Sequence, residues 1–166
     1  GREHGLLTVY DDGGKSVATY ENGKQKGKFT QWNKNGIIIA DAFLIENVMN
    51  GLSTSWYGDG QKKSEASFIN GKIEGLGTNW YQNGQKKDEG LYNLGILEGP
   101  STFWYENGNK QSEGPNKDGK PHGFTIIYYD NGNKKSEGYY KAGELDGDWN
   151  AWYDDEKKKK EVSYIN

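Results

Sequence analysis

Residues Gly75–Gly95 read GLGTNWYQNGQKKDEGLYNLG, and this stretch decides the fold. Two strand-forming runs flank Gln82-Asn83-Gly84, a signal for a three-residue hairpin loop whose Gly adopts the left-handed conformation and forms a bulge. Helix is the competing reading for the Lys- and Glu-rich segments. It fails because between Gly51 and Gly147 no window between glycines exceeds about ten residues, too short for an uncapped helix.

Outward from this stretch the pattern repeats every 24 residues. Gly27, Gly51, Gly75, Gly99, Gly123 and Gly147 are equally spaced, and five residues after each stands Trp32, Trp56, Trp80, Trp104, Tyr128 or Trp152. Further columns hold Tyr57, Tyr81, Tyr105, Tyr129 and Tyr153, then Glu65, Glu89, Glu113, Glu137 and Glu161, then Phe68, Tyr92, Tyr140 and Tyr164. The frames are 27–50, 51–74, 75–98, 99–122, 123–146 and a truncated 147–166, preceded by a ragged copy over 4–26. A fixed period of this length marks a repeat architecture.

Each copy is therefore a β-hairpin joined to the next by a second Gly-containing turn. The expected fold is all-β: an elongated, antiparallel, single-layer sheet of tandem 24-residue hairpins, in which each unit contacts only its neighbours. If Tyr57 pairs with Gln61, simple alternation puts Trp56, Thr54, Leu52, Lys62, Ser64, Ala66 and Phe68 on one face, and Tyr57, Ser55, Lys63 and Glu65 on the other. On that reading the first face is the better buried, and the Glu column lies opposite Lys63, Lys87 and Lys135 as a salt-bridge ladder.

Composition agrees with a sheet that lacks a second layer. Leu, Ile, Val and Phe together form only about 17% of the 166 residues, a level that usually signals disorder. Against disorder stand a net charge of only -3 and the six Trp and twelve Tyr. Aromatic ladders take the place of a core. The longest apolar run, Ile37 to Ile45 interrupted by Asp41, is far shorter than a membrane span. There is no Cys, hence no disulfide or thiolate metal site, and the compartment stays open between cytoplasmic and exported. Residue 1 is Gly and the one Met is Met49, so Gly1 reads as a processing or cloning boundary. The ending SYIN, matching SFIN at 67–70, reads as a mid-repeat cut.

The pattern G-x-x-x-x-W-Y-x-N-G-x-K-K-x-E-x-x-Y-x-x-G resembles the MORN repeat, and more narrowly looks like the bacterial MORN variant of proteins labelled YwqK-type antitoxins. The resemblance covers 27–166 in register and the first copy loosely. It implies a hairpin-repeat ribbon and a non-catalytic interaction role, with no catalytic residue to carry over. It also implies ligands as different as phospholipid headgroups and protein partners, so function does not come with the fold. Departures from the pattern carry expectations of their own. Pro115 and Asn116 predict a bulge or an early strand end, Glu156 in place of a turn Gly predicts a distorted turn, and Ile37, Ile38 and Ile39 make the 27–50 copy apolar.

Candidate sites follow from these columns. His4 and His122 are the two histidines and lie far apart in sequence, so no nucleophile, base and orienting group assemble; neither an enzyme nor a cofactor is expected. Asp11-Asp12 and Asp154-Asp155-Glu156 lack the spacing of a calcium loop, and no metal is expected. Lys157 to Lys160 reads as edge protection in a slightly acidic chain, and nucleic acid is not an expected partner. The Trp and Tyr columns are the candidate binding platform: Trp32, Trp56, Trp80, Trp104, Tyr128 and Trp152, with Tyr57, Tyr81, Tyr105, Tyr129 and Tyr153. They either stack for stability or offer rings to sugars, quaternary ammonium groups or a partner's side chains. Ile37, Ile38, Ile39, Phe43 and Leu44 form the candidate interface, to be covered by the ragged first copy or by a partner. The expected function is a repeat scaffold for protein–protein or membrane-associated interactions, with self-association, anionic lipid or glycan as partners. The alternatives are a surface carbohydrate- or choline-binding module and an antitoxin-like protein.

Overall fold

Turn chemistry builds this molecule, a computed structural model that describes residues 3–164. Gly1 and the last two residues of the SYIN ending lie outside that range. At the tip of the 51–74 copy, the Tyr57 N–H donates to the Gln61 carbonyl at 2.8 Å and the Gly60 N–H to the Tyr57 carbonyl at 2.9 Å. Gly60 sits at φ +90°, the left-handed position the loop requires. The same closure recurs at Asn33/Ile37, Tyr105/Asn109, Tyr129/Asn133 and Tyr153/Lys157. Glu156 occupies the glycine position of the last tip at φ +66° and still donates its N–H to Tyr153. That turn keeps its geometry, contrary to the distortion expected from sequence, and stores the difference as backbone strain.

The second turn is tighter. Ile69 opposes Lys72, leaving Asn70 (φ +49°) and Gly71 (φ +77°) as a two-residue type I′ turn, both residues left-handed. Leu94-Gly95, Asp118-Gly119 and Ala142-Gly143 repeat it. These turns also stitch copies together: the N–H of Gly71 donates to Met49 O at 2.8 Å, and that of Gly143 to Pro121 O at 2.9 Å.

The chain forms two compact units, Gly1–Gly84 and Gln85–Asn166. In the first, β1 (Gly5–Asp11), β2 (Gly14–Glu21), β3 (Lys24–Asn33), β4 (Ile38–Ile45), β5 (Val48–Met49), β6 (Gly51–Trp56), β7 (Lys62–Ile69) and β8 (Lys72–Trp80) form an antiparallel sheet. Its order is β1-β2-β3-β4-β6-β7-β8, with β5 paired to β4. The second unit holds β9 (Lys86–Asn93), β10 (Ile96–Trp104), β11 (Lys110–Lys117), β12 (Lys120–Pro121), β13 (Gly123–Tyr128), β14 (Lys134–Lys141), β15 (Glu144–Trp152) and β16 (Lys158–Tyr164). Here the order is β9-β10-β11-β13-β14-β15-β16, with β12 on β11. No helix occurs among the described residues. β11 runs through Pro115, which opposes Pro100, so the strand does not end early; the side-chain amide of Asn116 bonds to Ser101 Oγ at 2.7 Å. The early end expected at Pro115 is thus corrected, whereas a bulge does stand beside it: Glu113 pairs with Ile126 and Asn116 with Pro121, so Gly114 and Pro115 face the four residues 122–125.

A bulge also changes the expected faces. Trp56 opposes Lys62 while Ser55 opposes Ser64, so Lys63 is an extra residue and everything after it changes sides. The same shift recurs beside Trp32, Trp104, Tyr128 and Trp152. The corrected tryptophan face carries Trp56, Thr54, Leu52, Lys62 and Glu65. Ser64, Ala66 and Phe68 join Ser55 on the tyrosine face.

Among the described residues neither face fully buries a large side chain. The buried residues are small: Thr30, Thr54 and Thr78 on the tryptophan face, and Ala18, Ser101, Thr125, Ser136 and Ala151 on the other. Every ring of the Trp and Tyr columns is half-buried except Tyr153, which is exposed. Cross-strand pairs worth about 0.2–1 kcal/mol each therefore replace a core.

Candidate functional site

Lysines place the aromatic rings. The 51–74, 75–98, 123–146 and 147–166 copies carry a Lys-Lys doublet after the tip, Lys62-Lys63, Lys86-Lys87, Lys134-Lys135 and Lys158-Lys159, and the bulge sends the two lysines to opposite faces. On the tryptophan face Lys62 Nζ stands 5.1 Å from the Trp80 ring centre, Lys86 5.6 Å from Trp104 and Lys134 5.4 Å from Trp152. Lys15 covers Trp32 at 4.4 Å. Each of these doublet lysines is also paired with the Glu three residues on, at 2.9 Å for Lys62–Glu65, 2.7 Å for Lys86–Glu89 and 2.6 Å for Lys134–Glu137. Lys110–Glu113 and Lys158–Glu161 continue the series. The carboxylate ladder thus belongs to Lys62 and its equivalents, not to Lys63, Lys87 and Lys135 as simple alternation suggested. The buried threonine hydroxyls serve the same carboxylates: Thr54 Oγ1 donates to Glu65 at 3.3 Å, and Thr30 Oγ1 to Asp41 at 2.9 Å. At Lys62, Lys86 and Lys134 the tryptophan-face motif is a triad of ring, ammonium and carboxylate.

On the tyrosine face the hydroxyls are committed to the next copy. Tyr57 donates to the Trp80 carbonyl at 2.8 Å, Tyr105 to the Tyr128 carbonyl at 2.9 Å and Tyr129 to the Trp152 carbonyl at 2.9 Å. Lys63, Lys135 and Lys159 lie over the rings of Tyr57, Tyr129 and Tyr153 at 5.7, 5.5 and 5.2 Å. The candidate platform residues are therefore gathered into two rows, one on each face. The rings that these lysines cover, in both rows, already hold a cation from this chain. Sequence reasoning missed that role of the lysines; the recurring doublet was the available signal.

The apolar segment is split by the same bulge. Ile38 opposes Trp32 and shares the tryptophan face with Phe43, whereas Ile39 is the extra residue and Leu44 lies on the tyrosine face. Ile37 closes the tip loop and packs toward Gly60. Phe43 and Leu52, 46% and 58% exposed, border a groove of about 570 Å3 together with Lys28, Asp41 and Asn50. The ragged first copy does not cover it: β2 pairs with β3 in the plane of the sheet.

Among the described residues no group of three His, Cys, Asp or Glu is arranged to hold a metal ion. No helix is long and apolar enough to cross a membrane. No curated protein matches the chain. The sequence model of the MORN repeat variant matches residues 49–70, 73–94, 97–118 and 121–142, four spans that each end on the first residue of a type I′ turn. Such repeats are commonly binding or scaffold modules and are generally non-enzymatic. With more than half of its length matched in register with its hairpins, the chain belongs to the MORN repeat variant family.

Proposed function

We propose that this chain is a non-catalytic scaffold that holds a protein partner on the tryptophan face of its N-terminal unit. The observation that carries the reading is the groove bordered by Phe43 and Leu52. It lies where the 27–50 copy abandons the polar pattern, and the in-plane pairing of β2 with β3 leaves Ile38, Phe43 and Ile45 exposed at 39%, 46% and 43%. Large apolar side chains held open on a rigid sheet mark an interaction surface. An antitoxin-like role would be the same activity with a toxin as the partner. A carbohydrate- or choline-binding role has less support, because a choline headgroup would have to displace lysines already seated over Trp32, Trp80, Trp104 and Trp152.

Cross-linking in the native host, followed by affinity purification, tests the reading. The wild-type chain should recover a protein, a second copy included, that the Phe43→Lys/Leu52→Lys variant loses. Equal recovery by both would overturn it.

A further inference from the structure

The tyrosine face of the C-terminal unit carries a second surface of different chemistry. Tyr129, Lys135, Trp149, Tyr153, Lys159 and Lys160 border a groove of about 300 Å3, floored by the buried Ser136 and Ala151. The strands explain its shape. Ser136, Ala151 and Lys160 stand in one row across β14, β15 and β16, and Trp149 rises one row inward. Trp149 stands where the four copies before it carry the small residues Ser53, Gly77, Ser101 and Thr125, and is seated by Gly138, where a Cβ would come within 2.9 Å of its ring. Lys135 and Lys159 form the mouth, each over a tyrosine ring.

The groove is cationic in a chain whose net charge is -3. Among the described residues no carboxylate lines it, and none is ion-paired with Lys135, Lys159 or Lys160. The opposite face shows how this chain completes such a motif. There Lys134 lies over Trp152 and is closed by the Glu137 carboxylate at 2.6 Å. The tyrosine-face groove has the ring and the ammonium and lacks the acid. An ammonium laid over an aromatic ring keeps its outer side open to an incoming anion.

From this juxtaposition we infer that the groove binds an acidic peptide segment of a partner protein, its carboxylates closing the Lys135 and Lys159 motifs and Lys160, and an adjoining apolar side chain lying on Trp149. The site deepens the scaffold reading and rests on it, since it names the chemistry of a partner. Complementary charge at such a surface sets specificity and association rate more than raw affinity, so binding is salt-sensitive.

The test uses the full chain and two N-acetylated, C-amidated peptides, Phe-Glu-Asp-Glu and its neutral counterpart Phe-Gln-Asn-Gln, followed by Trp fluorescence and by calorimetry. The acidic peptide should bind at least about tenfold more tightly than the neutral one and weaken as sodium chloride is raised. The Lys135→Gln/Lys159→Gln/Lys160→Gln variant, altered only at exposed side chains and checked for its fold by circular dichroism, should lose about tenfold or more, while Lys134→Gln on the other face should not. Equal binding of the two peptides, or undiminished binding by the triple variant, would overturn the proposal. So would saturable binding of phosphatidylserine vesicles with none of the acidic peptide. If the peptide fails but the Phe43→Lys/Leu52→Lys variant still loses a cross-linked partner, the groove proposal falls and the scaffold reading stands. If the peptide binds and no cross-linked partner depends on Phe43 and Leu52, the reverse holds.

Discussion

Tyr128 stands where the other copies carry Trp, and its hydroxyl donates to Glu113 Oε1 at 2.7 Å. Burial first, and then that carboxylate, push the phenol up to about 12. Lys110, followed by Tyr128, pulls the Glu113 carboxyl below its usual range. The two groups respond to pH in opposite directions. A raised phenol contributes stability that is complete below its unfolded value near 10 and is lost as pH climbs through about 12. A lowered carboxyl contributes stability present above 4.5 and lost as pH falls through its folded value. Absorbance at 295 nm should therefore show a tyrosine that ionises near pH 12, absent in Tyr128→Phe. That variant should lose about 1 kcal/mol in urea at neutral pH, the worth of one hydrogen bond to a charged acceptor that keeps a second partner. A titration unchanged by the substitution would show that the bond does not form in solution. Ala142 is the opposite case, a residue that costs stability. It holds φ +52° at the first position of a type I′ turn, where Asn70 serves the 51–74 copy. Ala142→Asn should raise stability by about 0.5–1 kcal/mol in the same denaturation, because Asn tolerates the left-handed region that a plain Cβ resists.

At the scale of the element, the hairpins were legible because their turn residues have no alternative use. Asn-Gly at the tips and Gly or Asn in the linking turns leave two strand-length runs per copy and nothing long enough for a helix. The faces were not legible, because the residue inserted by the bulge is an ordinary lysine. Gly60 announces the tip loop, but nothing at Lys63 announces that one more residue than its partner strand can match has been placed there. The clue lay in the pair Lys62 and Glu65, three apart: in an unbroken strand they would point to opposite faces, and here they meet at 2.9 Å. The platform residues were found and their partners were not, for the same reason. Pro115 does not end its strand because a proline opposite Pro100 puts both missing donors on one rung, which the strand accepts. Where small residues seat the rings, the argument becomes quantitative. Gly138 has ordinary backbone angles, yet a Cβ there would meet Asp148 O and Trp149 Cδ1, each at 2.9 Å. Gly138→Ala should cost about 1–3 kcal/mol through that overpacking and shift the emission of Trp149. Gly75→Ala meets nothing within 4 Å and is strained by its φ of +82° alone. Its loss should leave the Trp149 emission unchanged, and equal spectral shifts in the two variants would rule out the seating role.

For the whole molecule, the same contacts dictate how it opens. A domain built round one core unfolds as a block, but here no large side chain among the described residues is fully buried, and the long interior strands are held only by the strands beside them. Stability is then close to a sum of hairpin terms and neighbour terms, and opening is cheapest where a strand has one neighbour instead of two. β1 is paired with β2 alone and β16 with β15 alone. Amide exchange should therefore be fastest on these two strands and slow inward, so that β3 outlasts β1 and β14 outlasts β16. The hydroxyl of Tyr129 and the N–H of Gly143 tie their copies to the next and to the previous one, which makes β13 to β15 better protected than the edge. Gly138→Ala gives the sharper version of the test. If coupling passes only between adjacent hairpins, it should speed exchange in β13, β14 and β15 and leave β2 to β4 at their wild-type rates. Acceleration of β2 to β4 to the same extent would mean that the units open together, and that the sheet, despite its repeats, behaves as a single cooperative block.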